Sequence, residues 1–268
     1  ADRTSVEDRA KGLAGFTAAF GIGTLLGPAF AGIAVAFGPL APLYGVAALA
    51  ACAFLAVFFF LPENNPPRER APRPKMRMRD PRIFSFLIYG LAGGAVASVP
   101  VQMTGFYFID ILDLSGDEAL ARVSVALTAS AMAALFAQLV LVGRFSMAPK
   151  QLMRFGPAAL VIGHGLFAVG ATFPVLVVGA TFSGLGWGMV APGFTAAASV
   201  SVSPHEQGAT SGLSNAAGAA GFILAPPIGF GLYTIDPRAP FILTTLAAVA
   251  LMLFAWRSRT IASLASKT

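Results

Sequence analysis

The chain has 268 residues, of which 56% are hydrophobic and 11% charged, and its mean hydropathy is +0.76. An average soluble domain carries roughly 25% charge, so this composition excludes a water-soluble globular protein and points to one that lives in lipid. The formal net charge is +6, and the places where the basic residues fall account for it without a nucleic-acid partner.

A bilayer core of about 30 Å needs roughly 20 apolar residues per helical crossing. Eight such stretches lie between charges, prolines and turn clusters: 12–37, 41–61, 83–111, 123–143, 152–171, 174–202, 208–233 and 240–256. They are continuously apolar, whereas the strands of a membrane barrel alternate over about 10 residues. The predicted fold class is therefore an all-α integral membrane protein with eight transmembrane helices.

The first stretch, entered from Asp8, is broken by glycine and proline at Gly23, Gly27, Pro28 and Gly32. The seventh, entered from Glu206 at an offset of 198, repeats the pattern. Gly23 falls on Gly221, Gly27 on Ala225, Pro28 on Pro226 and Ala31 on Gly229. A repeat of this kind is a mark of membrane transporters. Missing side chains let a helix bend and approach a neighbour closely.

The second stretch carries Cys52, the one cysteine of the chain. A lone cysteine allows neither an internal disulfide nor a cysteine-cluster metal site, so packing is its expected work. From Pro62 to Arg82 the chain is rich in proline and arginine and unsuited to lipid. Residues 62–82 are thus a linker, dividing 1–61, with two helices, from 83–268, with six.

Lysine and arginine stay on the cytoplasmic side of short membrane loops. With the start of the first helix placed inside, 16 of the 18 basic residues fall inside and only Arg122 and Arg238 fall outside. An even helix number and two cytoplasmic termini satisfy every loop. The arginines around 68–82 could also touch anionic lipid headgroups.

Polar residues inside a bilayer are expensive and usually face a bundle interior. On the third stretch Gln102, Phe106 and Asp110 share one helical face at a spacing of four. Asp110 lies near the outer end, where it is either an interfacial carboxylate wetted from outside or a cation-attracting or proton-titrating group at the outer mouth. On the fourth stretch Ser130, Ala134 and Gln138 form a stripe, and on the seventh Ser211 is followed one turn later by Asn215. Their amides either hydrogen-bond a substrate or join helices. Tyr89, Tyr107 and Trp187 could stack on an aromatic ligand or sit at the membrane interface. His205 and Glu206 stand at a helix start, where an acidic group suits the positive end of the dipole.

The chain contains no His-Glu-x-x-His, no Gly-x-Ser-x-Gly and no Walker-type Gly-x-x-x-x-Gly-Lys-(Ser/Thr). These are the parts of an intramembrane metalloprotease, a serine hydrolase and an ATP-driven pump. An enzyme is not expected, no cofactor is indicated, and transport would be gradient-driven.

The run from Gly23 to Gly32, read as Gly-x-x-x-Gly-Pro-x-x-Ala-Gly, resembles the fifth-helix motif Gly-x-x-x-Gly-Pro-x-x-Gly-Gly of the major facilitator superfamily. The likeness is to its twelve-helix drug:proton antiporter branch, which includes tetracycline efflux pumps. Only the first glycine of the final pair differs, as Ala31. GLGWGMVAPGF (184–194), HEQGATSGLSN (205–215) and IDPRAPF (235–241) are similar to the tenth helix, the entry to the eleventh and the last outer loop of that family.

The resemblance implies that the eight helices are numbers five to twelve of a twelve-helix fold, with helices one to four and the Gly-x-x-x-Asp-Arg-x-Gly-Arg loop outside this sequence. It implies that the 268-residue chain alone inserts without transporting. It implies that Gly221, Pro226 and Gly229 pack against the first glycine helix between the two halves, and that the helices of Gln138 and Asn215 line the cavity. His164 falls on a helix that is peripheral in this fold, so a neutral histidine bonded to a neighbouring helix is expected rather than a proton relay. The implied activity is export of small amphipathic compounds in exchange for protons across a bacterial-type inner membrane. The alternatives are a metabolite or sugar importer and a non-transporting assembly or partner-binding factor with the same fold.

Overall fold

A computed structural model describes residues 40–60, 76–203 and 205–264, together with 30, 34, 37 and 38. Gly23, Gly27, Pro28 and Gly32, and with them the glycine face of the first predicted helix, lie outside the described residues, as does the linker up to residue 75. The described elements are α1 (Ala41–Phe60), α2 (Phe84–Leu112), α3 (Gly116–Phe136), a π-helical continuation (Ala137–Arg144), α4 (Pro149–Val169), α5 (Phe173–Val200), α6 (Gln207–Tyr233), α7 (Ala239–Arg257) and a short α8 (Arg259–Ala262). Seven spans among them are long and apolar enough to cross a membrane. The fold class is all-helical and integral to the membrane, and each of these spans coincides with a predicted one to within a few residues.

The helix boundaries follow local chemistry. Ser115 caps α3, its Oγ accepting from the Glu118 amide at 3.4 Å. α4 begins at Pro149, and Gln151 Oε1 accepts from the Ala148 amide at 3.0 Å. Asp113 ends α2 in the left-handed region at φ 49°. Prolines at 100, 157, 192, 226 and 227 lie inside helices. Such breaks persist in membrane helices because side chains and neighbouring helices satisfy the freed carbonyls. Tyr89 Oη, for one, donates at 2.8 Å to the Met153 carbonyl, which Pro157 leaves without its helical partner.

α5 is the central helix, packed against α4, α3, α2 and α6, while α2 pairs with α6 and α4 with α7. Small residues set these approaches. A Cβ on Gly184 of α5 would overlap the Ser130 carbonyl of α3, and one on Gly94 of α2 would overlap the Gly218 carbonyl of α6. Toward the basic end the core is built from Phe86, Tyr89, Met153, Leu160, Val190, Phe194 and Leu251. Toward the other end it is built from Met103, Tyr107, Phe108, Phe167, Leu176 and Phe241. α1 buries none of its residues; Leu43 and Phe60 are 65% and 83% exposed. That is a surface suited to lipid or to further protein, not to water.

Candidate functional site

Near the middle of α2, α3 and α5 the helices leave a cavity of about 400 Å³, within the size range of small-molecule sites. Its polar lining comes from Thr104 on α2, Ser130 on α3, Gln138 at the start of the π segment, His164 on α4, and Ser183 and Trp187 on α5. The remaining lining residues are alanine, leucine, valine, phenylalanine, proline and glycine, and none is Asp, Glu, Lys or Arg. Gln138 is exposed and so marks an opening; Thr104, His164 and Ser183 are buried at the inner wall.

Ser130, Gln138 and Trp187, three of the predicted cavity residues, thus come together. The close contact of Gly184 with the Ser130 carbonyl sets the α3–α5 distance. The π segment, with the Phe145 amide bonded to the Val140 carbonyl at 2.8 Å, widens the turn that carries Gln138. π-helical turns within longer helices are frequent at functional sites.

The other predicted residues form a second group. Gln102, Phe106 and Asp110 do share a face of α2, and that face is exposed rather than turned into the cavity. Phe106 meets Phe230 of α6 edge-on at 5.9 Å, and Asp110 accepts a hydrogen bond from Tyr233 Oη at 2.5 Å. Ser211 and Asn215 are exposed on α6 and do not line the cavity. Gly221, Pro226 and Gly229 are buried. Gly221 lies against Leu91 and Ala95 of α2, and Gly229 against Met103 of the same helix. The side of α6 that carries these glycines is therefore occupied by α2.

Tyr89 and Tyr107 are fully buried structural residues, not cavity residues. Tyr89 Oη donates to the Met153 carbonyl at 2.8 Å and Tyr107 Oη to the Phe167 carbonyl at 2.5 Å. His164 is bonded to a neighbouring helix as expected, Nδ1 lying 2.7 Å from Thr244 Oγ1 of α7. Its helix also borders the cavity, which the expectation of a peripheral position missed. The available signal was the Gly-His-Gly sequence: a Cβ on Gly163 would overlap Ser183 and the α5 backbone, so α4 is held tightly to the cavity wall.

At the basic end, Glu206 precedes α6 without capping it. Its carboxylate instead accepts a two-pronged bond from Arg82 at 2.9 and 3.0 Å, and further bonds from the Ser203 hydroxyl and amide at 2.7 and 3.1 Å. The Arg82 guanidinium, then Ser203, hold the Glu206 carboxyl down at about 2. Arg82 also binds Asp80 at 2.8 Å, which lowers that carboxyl too. On the same end Lys150 Nζ donates to the Ala262 carbonyl at 2.8 Å, and Arg154 lies 4.6 Å over the Trp256 ring. Among the described residues no group of three metal-ligating side chains gathers.

An all-helical membrane bundle with broken helices around an uncharged cavity is the architecture of a multi-pass carrier. The family model of the Major Facilitator Superfamily matches residues 1–146 and again 119–267. The chain belongs to this superfamily of membrane transporters, whose members bind small-molecule substrates within the membrane. No curated protein matches it in sequence.

Proposed function

We propose that the protein is a proton-coupled exporter of small amphipathic compounds, of the drug:proton antiporter branch, working by alternating access. In this reading residues 1–61 contribute helices five and six of the first half, 62–82 form the cytoplasmic linker, and 83–268 form the second half. Both termini face the cytoplasm across a bacterial-type inner membrane. The observation that carries the reading is the cavity of about 400 Å³ at Ser130, Gln138 and Trp187, apolar over most of its wall and free of charged residues. Such a site takes a mostly apolar molecule from lipid or cytoplasm without stripping water from a buried charge. The glycine and proline run from Gly23 to Gly32 supports antiport within the superfamily.

The test is movement of a fluorescent amphipathic dye across inverted membrane vesicles bearing the protein from its complete gene, under an imposed proton gradient. Accumulation against the dye gradient that a protonophore abolishes is the expected result. Accumulation that survives the protonophore overturns proton coupling, and no protein-dependent movement overturns transport.

A further inference from the structure

His164 is completely buried and lines the cavity, yet its Nε2 has no hydrogen-bond partner. The geometry around the other ring nitrogen determines what that free atom is. Thr244 Oγ1 lies 3.0 Å from the Pro240 carbonyl and 3.2 Å from the Phe241 carbonyl, so its one proton is directed to its own helix. In that arrangement its oxygen accepts from Nδ1, 2.7 Å away. With the proton on Nδ1, Nε2 is a bare acceptor. His164 lines the cavity and Thr244 does not, so Nδ1 is engaged with α7 and Nε2 is the ring nitrogen still without a partner.

Two other buried polar atoms among the described residues lack partners, Thr210 Oγ1 and Ser214 Oγ. A hydroxyl on a helix can rotate to donate to the carbonyl four residues back, as Ser183 does to Gly179 at 2.9 Å. An imidazole locked by Thr244 has no such recourse. Leaving a buried acceptor empty is unfavourable, and native structures nearly always satisfy such groups.

The neighbouring wall has the same polarity. Thr104 and Ser183, also lining residues, direct their hydroxyl protons to the Pro100 and Gly179 carbonyls, which leaves each oxygen only lone pairs to offer. The inner wall therefore presents three acceptors, no acidic residue to hold a cation and no basic residue to hold an anion. We propose that His164 Nε2 is the hydrogen-bond acceptor of the binding site, and that the molecule bound there is uncharged, largely apolar and carries a hydroxyl or N–H donor. Trp187, on the same wall, supplies an aromatic face for such a molecule. The proposal rests on the cavity being the substrate site and is independent of the driving ion.

Two probes of similar shape separate the donor from the rest of the molecule: 2-naphthol, which has a hydroxyl proton, and 2-methoxynaphthalene, which has none. Binding to the 268-residue chain in lipid nanodiscs, measured by equilibrium dialysis, should favour 2-naphthol by about tenfold or more. In the His205→Gln background a single histidine remains, so its ¹⁵N spectrum reports His164 alone. That spectrum should show Nδ1 protonated, with Nε2 moving upfield on addition of 2-naphthol and staying in place with 2-methoxynaphthalene.

His164→Phe should remove the preference, and Thr244→Val, which leaves the cavity wall intact, should mix the two tautomers. Equal binding of the probes by the parent chain, no binding of either, a proton found on Nε2, or an Nε2 signal indifferent to 2-naphthol overturns the proposal. The last outcome is expected if a resident water already satisfies the atom. None of these readings needs a gradient. Naphthol selectivity without dye movement leaves the site standing and removes transport; dye movement without selectivity does the reverse.

Discussion

Gly221 of α6 rests on the carbonyl of Leu91 of α2 so closely that a Cβ there would overlap it. The two helices meet backbone to backbone, and the contact lies on one face of each, extended by Gly94 against Gly218. Neither element can yield without separating, because the atoms in the way are main chain.

From this contact, Gly221→Ala should lower stability by about 1–3 kcal/mol, the usual penalty of overfilling a packed core. Gly231→Ala, on the same helix with open space around it, should leave stability unchanged or slightly raised. Thermal unfolding of the two variants in the same detergent checks the pair. Equal behaviour would contradict the backbone contact.

Trp187 borders the cavity with a large indole ring. Its replacement by Ala should weaken binding of an aromatic probe by about threefold to tenfold, the loss of one aromatic pair, without loss of the folded state. Trp256, stacked under Arg154 at the basic end, is the control: Trp256→Phe should leave probe affinity unchanged. A probe titration by equilibrium dialysis measures both.

The Glu206 bridge makes a pH prediction with a definite sign. Its carboxyl sits at about 2 in the folded chain against an ordinary 4.5, so ionised Glu206 favours the fold. That contribution is fully present above about 4.5 and is lost as pH falls toward about 2. The difference in melting temperature between the parent and Glu206→Gln should be constant from neutral pH down to about pH 5 and should shrink below about 4.5. A difference that changes between pH 7 and 5 would place the titrating group elsewhere.

Asp110 and Tyr233 should behave as one unit. Asp110→Ala and Tyr233→Phe each remove the same 2.5 Å hydrogen bond, so the double variant should melt close to the worse single variant rather than at the sum. Additive losses would show that the bond carries no coupling.

The helices were legible because length and continuous hydrophobicity are one-dimensional signals: the ends of 208–233 and of α6, Gln207–Tyr233, differ by one residue. The cavity was legible only in part. Ser130 and Gln138 stood out as polar residues in an apolar run, and Trp187 as a ring able to stack on an aromatic ligand. Gln102 and Asp110 stood out for the same reason, but a helical face reveals which residues travel together, not which neighbour they meet. The packing of α4 depends on Gly163 against Ser183; the Gly-His-Gly run signals a close approach but not which helix makes it. The π segment was invisible for another reason: a change from i→i+4 to i→i+5 bonding leaves the composition of Ala137–Arg144 unaltered. Glu206 looked like a dipole partner because its true partner, Arg82, is 124 positions away.

That wide turn has a mechanical consequence. It spends more residues per revolution than the helix it continues, so the segment stores a fraction of a turn that regular winding would release. Regular winding of Ala137–Arg144 would turn the residues after Gln138 relative to Ser130 and would also lengthen the segment, since a wider turn rises less per residue. The π segment thus sets the direction in which the residues beyond Gln138 face at the mouth of the cavity.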